Sequence, residues 1–333
     1  MAKATARVVR FHELGGPDVL KIEEVPLPEP GDGEVRLRVE AIGLNRAEVM
    51  FRMGQYLEQP HLPAKNGYEA SGVLDAVGPD VERSWLGKKV STIPAFSLNQ
   101  YGVYGDTAVV PVHAIAAYPE KLTPIEGTAI WIQYLTAYGA LVMHGRIQRG
   151  DFVVLTAASS SVGLAAIEIV KAEGAISIAT TRTSKKKVEL QAVGADDVIA
   201  TEEENLVARV MEITGGKGAR IIFDPIAGKG VEALAKAAAS GGTIFEYGAL
   251  SLEPTPFPLF VALGKGLSVR GYTLMEVTKS PELLKTAVKY VYDRLESGSF
   301  KPRIDRTFPF EQIVEAHRYM ESNQQIGKIV VTV

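Results

Sequence analysis

DFVVLTAASSSVGLAAIEIVKAEGAISIATTRTSKKK, from Asp151 to Lys187, sets the reading of the whole chain. The apolar run Phe152–Leu155 reads as a buried strand, SVGLAAIEIVKAEG as an amphipathic helix and AISIATT as a second strand. A strand, a crossover helix and a parallel strand make a βαβ unit. The alternation continues through SKKKVELQAVG, DDVIAT, ENLVARVMEITG, GARIIFDPI, GVEALAKAAASGG, GTIFEYGAL and GLSVRGYTL, for about six strands. Residues 126–275, opening on the helical stretch GTAIWIQYLTAYGALVMHG, are expected to form a doubly wound parallel sheet.

Upstream the pattern differs. VRLRVEAIGL (Val35–Leu44), ASGVLDAVG (Ala70–Gly78) and TAVVPVHAIAAYP (Thr107–Pro119) are short β runs broken by Gly and Pro, as in a partly open antiparallel β domain. Downstream come two helix candidates, Pro281–Glu296 and Phe310–Asn323, and the strand GKIVVTV. A strand needs a partner, so GKIVVTV is expected to return to the N-terminal β domain. The expected division is 1–125 with 276–333 as one discontinuous domain, and 126–275 as the other.

The chain has 333 residues, two domains' worth at about 150 each. Its 36 basic and 39 acidic residues nearly cancel, which argues against a nucleic acid partner. There is no cysteine, and the histidines at 12, 61, 113, 144 and 317 show no metal-site spacing, so no metal is expected. MAKATARVVRFHELGG has no apolar signal core and no later run approaches a membrane span of about 20 residues, so the expectation is a soluble cytoplasmic protein with no membrane partner.

In a dinucleotide fold the first βα turn carries G-x-G-x-x-G, which lets the backbone approach the diphosphate. Here it reads AASSSVG: with Gly163 as the last glycine, Ala158 and Ser160 stand at the other two, small enough for the approach. The hydroxyls of Ser159, Ser160 and Ser161 can donate to phosphate; their other reading is helix capping. About twenty residues on, where an NAD enzyme offers an acid to the ribose, the chain reads TRTSKKK. Positive charge at a helix N-terminus opposes the macrodipole, so Arg182 with Thr181, Thr183, Lys185 and Lys186 reads as a 2′-phosphate site, hence NADPH.

With these residues the sequence resembles the medium-chain dehydrogenase/reductase superfamily, in its zinc-independent quinone oxidoreductase (ζ-crystallin-like) branch. The resemblance rests on FHELGGPDVLKIEEVPLPEPGDGEVRLRVEAIGLNRAEVMFRMGQY, NGYEASGVLDAVGPDV, IQYLTAYGAL, the AASSSVG turn, FDPIAG and QQIGKIVVTV, which together span essentially the whole chain. It implies a GroES-like catalytic domain, a Rossmann domain, a nicotinamide cleft between them and a homodimer. Where zinc-containing members carry a Cys, a His and a further Cys, this chain has Asn45, Tyr68 and Gln133, and the Lewis acid's ligands are replaced. Without them the resemblance favours hydride acceptors that need no metal, quinones or α,β-unsaturated carbonyls.

Residue by residue, the resemblance makes Tyr56, eleven positions after Asn45, the first choice for proton donor or carbonyl anchor, with Tyr68 second. It gives Asn45 a bond to the nicotinamide ribose or the substrate oxygen, and turns Gln133 and Thr136 toward the nicotinamide. Cofactor contacts are expected at Ser159–Gly163 including Val162, Thr181–Thr183, Lys186, Tyr247, Gly248, Ala249, Tyr272, Leu274 and Lys328, and substrate contacts at Met50, Tyr56, Tyr134, Phe257 and Leu274. Glu69 is expected only to brace neighbouring groups. Two other functions stay open: an NADPH-dependent carbonyl reductase or alcohol dehydrogenase acting on ketones or aldehydes, and an NADPH-binding crystallin-like protein with little turnover.

Overall fold

The computed structural model describes residues 4–333, which fall into two compact units: one ends at Ile132 and resumes at Pro302, the other is Gln133–Lys301. The first is the GroES-like unit. Its seven-stranded sheet runs Ile304–Pro309, Lys328–Thr332, Glu34–Gly43, Glu69–Val77, Lys89–Thr92 and Ile115–Ala116, with Thr107–Pro111 also pairing Glu34–Gly43. A smaller sheet joins Lys21–Pro26, Thr5–Phe11 and Ala64–Lys65. The long strand Glu34–Gly43 carries buried Val35, Leu37, Val39, Ala41 and Ile42, and so becomes the sheet's centre. GKIVVTV does return here: Val330–Thr332 pair antiparallel with Ala41–Gly43.

The second unit is Rossmann-like. Its six parallel strands stand in the order Asp197–Ala200, Ile176–Thr181, Phe152–Leu155, Ala219–Asp224, Ala238–Glu246 and Ser268–Gly271. Val154, Ile178, Ile222 and Ile244, one from each central strand, meet Val210 and Leu234 of the helices Leu206–Ile213 and Val231–Ala237 in one core cluster. The order reverses beside Phe152–Leu155, the switch point where open α/β sheets bind ligands outside the carboxyl ends of their strands.

Both expected domain boundaries move. Residues 126–132 stay with the GroES-like unit because the Trp131 indole N–H donates to Ser91 Oγ at 2.8 Å and the Ile132 N–H to Glu69 Oε1 at 2.8 Å. The helix Pro281–Glu296 belongs to the Rossmann-like unit, where the Tyr290 hydroxyl donates to Glu173 at 2.7 Å and its ring packs 4.7 Å from that of Tyr138. The helix expected over GTAIWIQYLTAYGALVMHG begins only at Trp131 and widens into a π-turn at Gly139–His144.

Candidate active site

In the GroES-like unit the polar centre forms around the helix Arg46–Arg52. Asn45 is its N-cap, and Glu48, three positions on, accepts the Asn45 N–H at 2.6 Å. The same buried carboxylate accepts the Tyr104 hydroxyl at 2.6 Å, the Tyr68 N–H at 2.9 Å and Asn45 Nδ2 at 3.2 Å. Burial raises the Glu48 carboxyl, opposed by the bonds from Tyr104 and Tyr68 and by the charge on Lys328.

Two of the expected cofactor contacts, Asn45 and Lys328, bond groups of their own unit. The Asn45 amide is consumed by the protein: Nδ2 donates toward Gly43 O, Glu48 and Glu69, and Oδ1 accepts Lys328 Nζ at 2.6 Å. It is a junction between strand and helix. Lys328 is no phosphate ligand, since the strand that carries it runs inside the sheet and its ammonium, 1 % exposed, is bonded to Glu69. Glu69 braces a lysine and two amides.

Tyr56 and Tyr68 come together. Their ring centroids lie 6.5 Å apart, edge to face, and Tyr68 also packs on Phe96 at 5.6 Å. The two hydroxyls stand side by side in the same buried setting. Burial raises both phenols above the ordinary tyrosine range; Tyr68 is raised further by its bond to Tyr56, which in turn lowers Tyr56 in part. The loop carrying Tyr56 is held by Glu58, whose carboxylate accepts the Ser97 hydroxyl, the Leu98 N–H at 3.2 Å and Asn99 Nδ2 at 2.9 Å.

In the Rossmann-like unit Ser160 caps the helix Ser161–Ala172, its Oγ accepting the Gly163 N–H at 3.1 Å, with Ser161 and Val162 in the first turn. A Cβ on Gly163 would stand 2.6 Å from the Ala158 backbone, so only glycine lets the helix settle on the loop. Ala157 adopts φ +45°, a conformation usually left to glycine. Lys186 Nζ donates to Ser159 Oγ at 3.2 Å, which brings a cation to the loop. Thr181 closes the strand Ile176–Thr181, Thr183 caps the short turn Ser184–Lys186, and Arg182 is exposed with no ion-pair partner among the described residues.

Gln133 and Thr136 are buried, and Gln133 Oε1 receives no donor among the described residues. Tyr247 stacks on Phe223 at 3.8 Å, and a Cβ on Gly248 would stand 2.8 Å from Pro225 O. The Tyr272 N–H donates to Glu246 O at 2.9 Å, Leu274 precedes the helix Met275–Thr278, and Ala249 is exposed.

Of the expected substrate contacts, Tyr134 is corrected: its hydroxyl donates to Glu168 at 2.6 Å and its ring stacks 4.7 Å from Phe300, inside the unit's own core. Met50 is half-buried on the helix Arg46–Arg52. Phe257 is 62 % exposed beside Phe260 at 85 %. Among the described residues no group of three or more His, Asp or Glu is placed to hold a metal, and no helix is long and apolar enough to cross a membrane.

Residues 31–120 match the alcohol dehydrogenase GroES-like domain model and residues 193–331 the zinc-binding dehydrogenase model. Human quinone oxidoreductase is 32 % identical over 98 % of this chain and 97 % of its own length. The chain belongs to the quinone oxidoreductase branch of the medium-chain dehydrogenase/reductase superfamily. Escherichia coli quinone oxidoreductase, solved with NADPH, superposes on this family member with TM-score 0.90 at 28 % identity, over 98 % of this chain and all of the other. A structure described as an NAD-dependent alcohol dehydrogenase gives TM-score 0.90 at 32 % identity, over 98 % of this chain and 99 % of the other. The chain is thus an oxidoreductase of the nicotinamide-dependent class.

Three groups of this family member escaped the sequence reading. Glu48 was signalled only by N-x-x-E spacing, the capping-box pattern. The buried ring of Arg52, His317 and Tyr104 joins positions more than two hundred residues apart, and the neighbouring carboxyls of Asp224 and Glu246 lie on different strands; neither leaves a local signal.

Proposed function

We propose that the protein is an NADPH-dependent reductase of quinones or α,β-unsaturated carbonyls that works without a metal. The observation that carries the reading is the tyrosine pair: Tyr56 and Tyr68 pack edge to face at 6.5 Å and set two phenol hydroxyls side by side as donors. NADPH, when bound, supplies the hydride. An acceptor that takes hydride at its β-carbon gathers negative charge on oxygen, and a fixed donor there lowers the barrier. Burial keeps both phenols protonated at neutral pH, which suits Tyr56 to anchoring that oxygen while water supplies the α-carbon proton.

The residues fit the dinucleotide. Gly163 and Ala158 let backbone approach a diphosphate, Arg182 is an unpaired guanidinium at the carboxyl end of its strand, and Gln133 Oε1 is a buried acceptor lacking a donor, as a carboxamide N–H would satisfy. Assembly as a homodimer belongs to the same reading. The alcohol dehydrogenase neighbour supports a second one, reduction of ketones or aldehydes.

The test measures oxidation of NADPH and NADH against quinones, enones, ketones and aldehydes, with and without a chelator. Chelator-resistant, NADPH-preferring turnover of quinones or enones is expected, with the saturated ketone as enone product. Chelator-sensitive turnover of simple ketones would overturn the reading in favour of the second.

A further inference from the structure

At the carboxyl ends of two neighbouring strands, Asp224 and Glu246 are register partners, so their side chains leave the sheet on the same face. Asp224 is buried and well supplied with donors: Oδ1 accepts the Thr156 hydroxyl and Oδ2 the Ala227 N–H at 2.7 Å. Glu246 is not. Both of its carboxyl oxygens are buried and neither receives a hydrogen bond from any N–H or O–H donor among the described residues. The group it meets is the Asp224 carboxylate, an acceptor.

Among the described residues no cation relieves this. Across the sheet on the other side, Glu246 is in register with Gly271, which has no side chain. Arg270 is in register with Phe245 and so belongs to the opposite face, where its guanidinium is engaged by Glu276 beside His144. The remaining titratable neighbour is Tyr247, whose hydroxyl stays neutral because burial raises it well above its ordinary range. Two anions in contact without a counter-charge are unstable, and a single proton shared between them resolves both the repulsion and the missing donor.

The geometry points to a proton held between Asp224 and Glu246, carried mainly by Glu246, whose release sets a second negative charge beside the nucleotide loop and loosens the dinucleotide. The link to the loop is direct: Thr156, which bonds Asp224, follows the strand Phe152–Leu155 and is the residue that opens the loop. The inference rests on the dinucleotide reading for its second half only. Burial, with the Asp224 charge, pushes the Glu246 carboxyl up to about 8, so release falls just above neutral pH.

The experiment compares wild type with Glu246→Gln, which keeps a donor on that carboxyl without a titrating proton. Because the folded pKa is raised above the unfolded one, the pair contributes stability below the unfolded value that is lost as pH rises toward about 8. The melting temperature of the ligand-free wild type is expected to fall over that range while the variant's stays flatter. The NADPH Kd, read by fluorescence, is expected to weaken about tenfold for wild type between about pH 7 and 9.5, and to change little for the variant. Equal melting profiles overturn the shared proton; a flattened melt with parallel Kd profiles overturns its coupling to the dinucleotide. No NADPH binding at any pH refutes the proposed function instead, and the melting profiles still decide the proton. If the variant does not fold, infrared spectra of wild type decide: a protonated carboxyl stretch lost above about pH 8 supports the pair, and its absence at pH 7 overturns it.

Discussion

Tyr56 owes its chemistry to a neighbour. Because Tyr56 is half-buried while Tyr68 is buried beside it, removing one hydroxyl and removing the other have different consequences. Tyr56→Phe deletes the outward donor and is expected to lower kcat/KM for an enone by about 10²-fold, with the NADPH Kd unchanged by fluorescence titration. Tyr68→Phe leaves Tyr56 in place and is expected to cost less. At Arg182 the measurement is a ratio: Arg182→Ala is expected to shift efficiency from NADPH toward NADH, and an unchanged ratio would remove the 2′-phosphate assignment. The tyrosine pair itself was only half legible. Spacing and resemblance selected both residues, but the packing of one ring on the other depends on a turn after the helix Arg46–Arg52 that no periodicity encodes.

Among the elements, that helix has the most demanding surroundings. Arg52, fully buried, donates to Gly15 O at 2.9 Å, to His317 Nδ1 at 2.9 Å and to Glu321 at 2.8 Å. With a guanidinium on Nδ1, the imidazole must carry its proton on Nε2, which meets the Tyr104 hydroxyl at 3.1 Å, and that hydroxyl donates to Glu48. Arg52→Ala strands these partners and is expected to cost about 3–5 kcal/mol by denaturant unfolding. His317 is pushed down to about 3 by burial and by the Arg52 and Arg46 charges, so it stays neutral in the fold while the unfolded chain protonates near its ordinary value. Its stability contribution is present above that value and lost as pH falls toward about 3; His317→Gln is expected to flatten the acid limb of a melting-temperature profile. The helices and strands around these groups were readable from apolar spacing, because each buries a periodic face. The ring was not, since Arg52 and His317 look like ordinary surface residues in a sequence.

The molecule as a whole divides where packing decides and composition does not. Pro281–Glu296 looks like part of a C-terminal domain until Tyr290 and Arg294 are seen clasping Glu173 of the Rossmann-like unit. The parallel sheet and its strand order were legible because buried βαβ strands announce themselves as apolar runs. On that unit the apolar side chains of Leu252, Phe257, Leu259, Phe260 and Leu263 are exposed, and Ser268–Gly271 is an edge strand. A patch of this kind favours self-association. Light scattering is expected to return a dimer mass, and Phe260→Asp to reduce it to that of one chain.

The strand Lys328–Thr332, which seats an ammonium among Asn45 and Glu69, is made on the ribosome after every residue of Gln133–Lys301. The Rossmann-like unit, uninterrupted in sequence, holds all six of its strands while the GroES-like unit still waits with Ala41–Gly43 open on one edge and the Glu69 carboxylate without its lysine. Synthesis order thus completes the inserted unit first. A nascent chain stalled before Gly327 would present the exposed sheet edge that chaperones recognise, with its cofactor-binding half already complete.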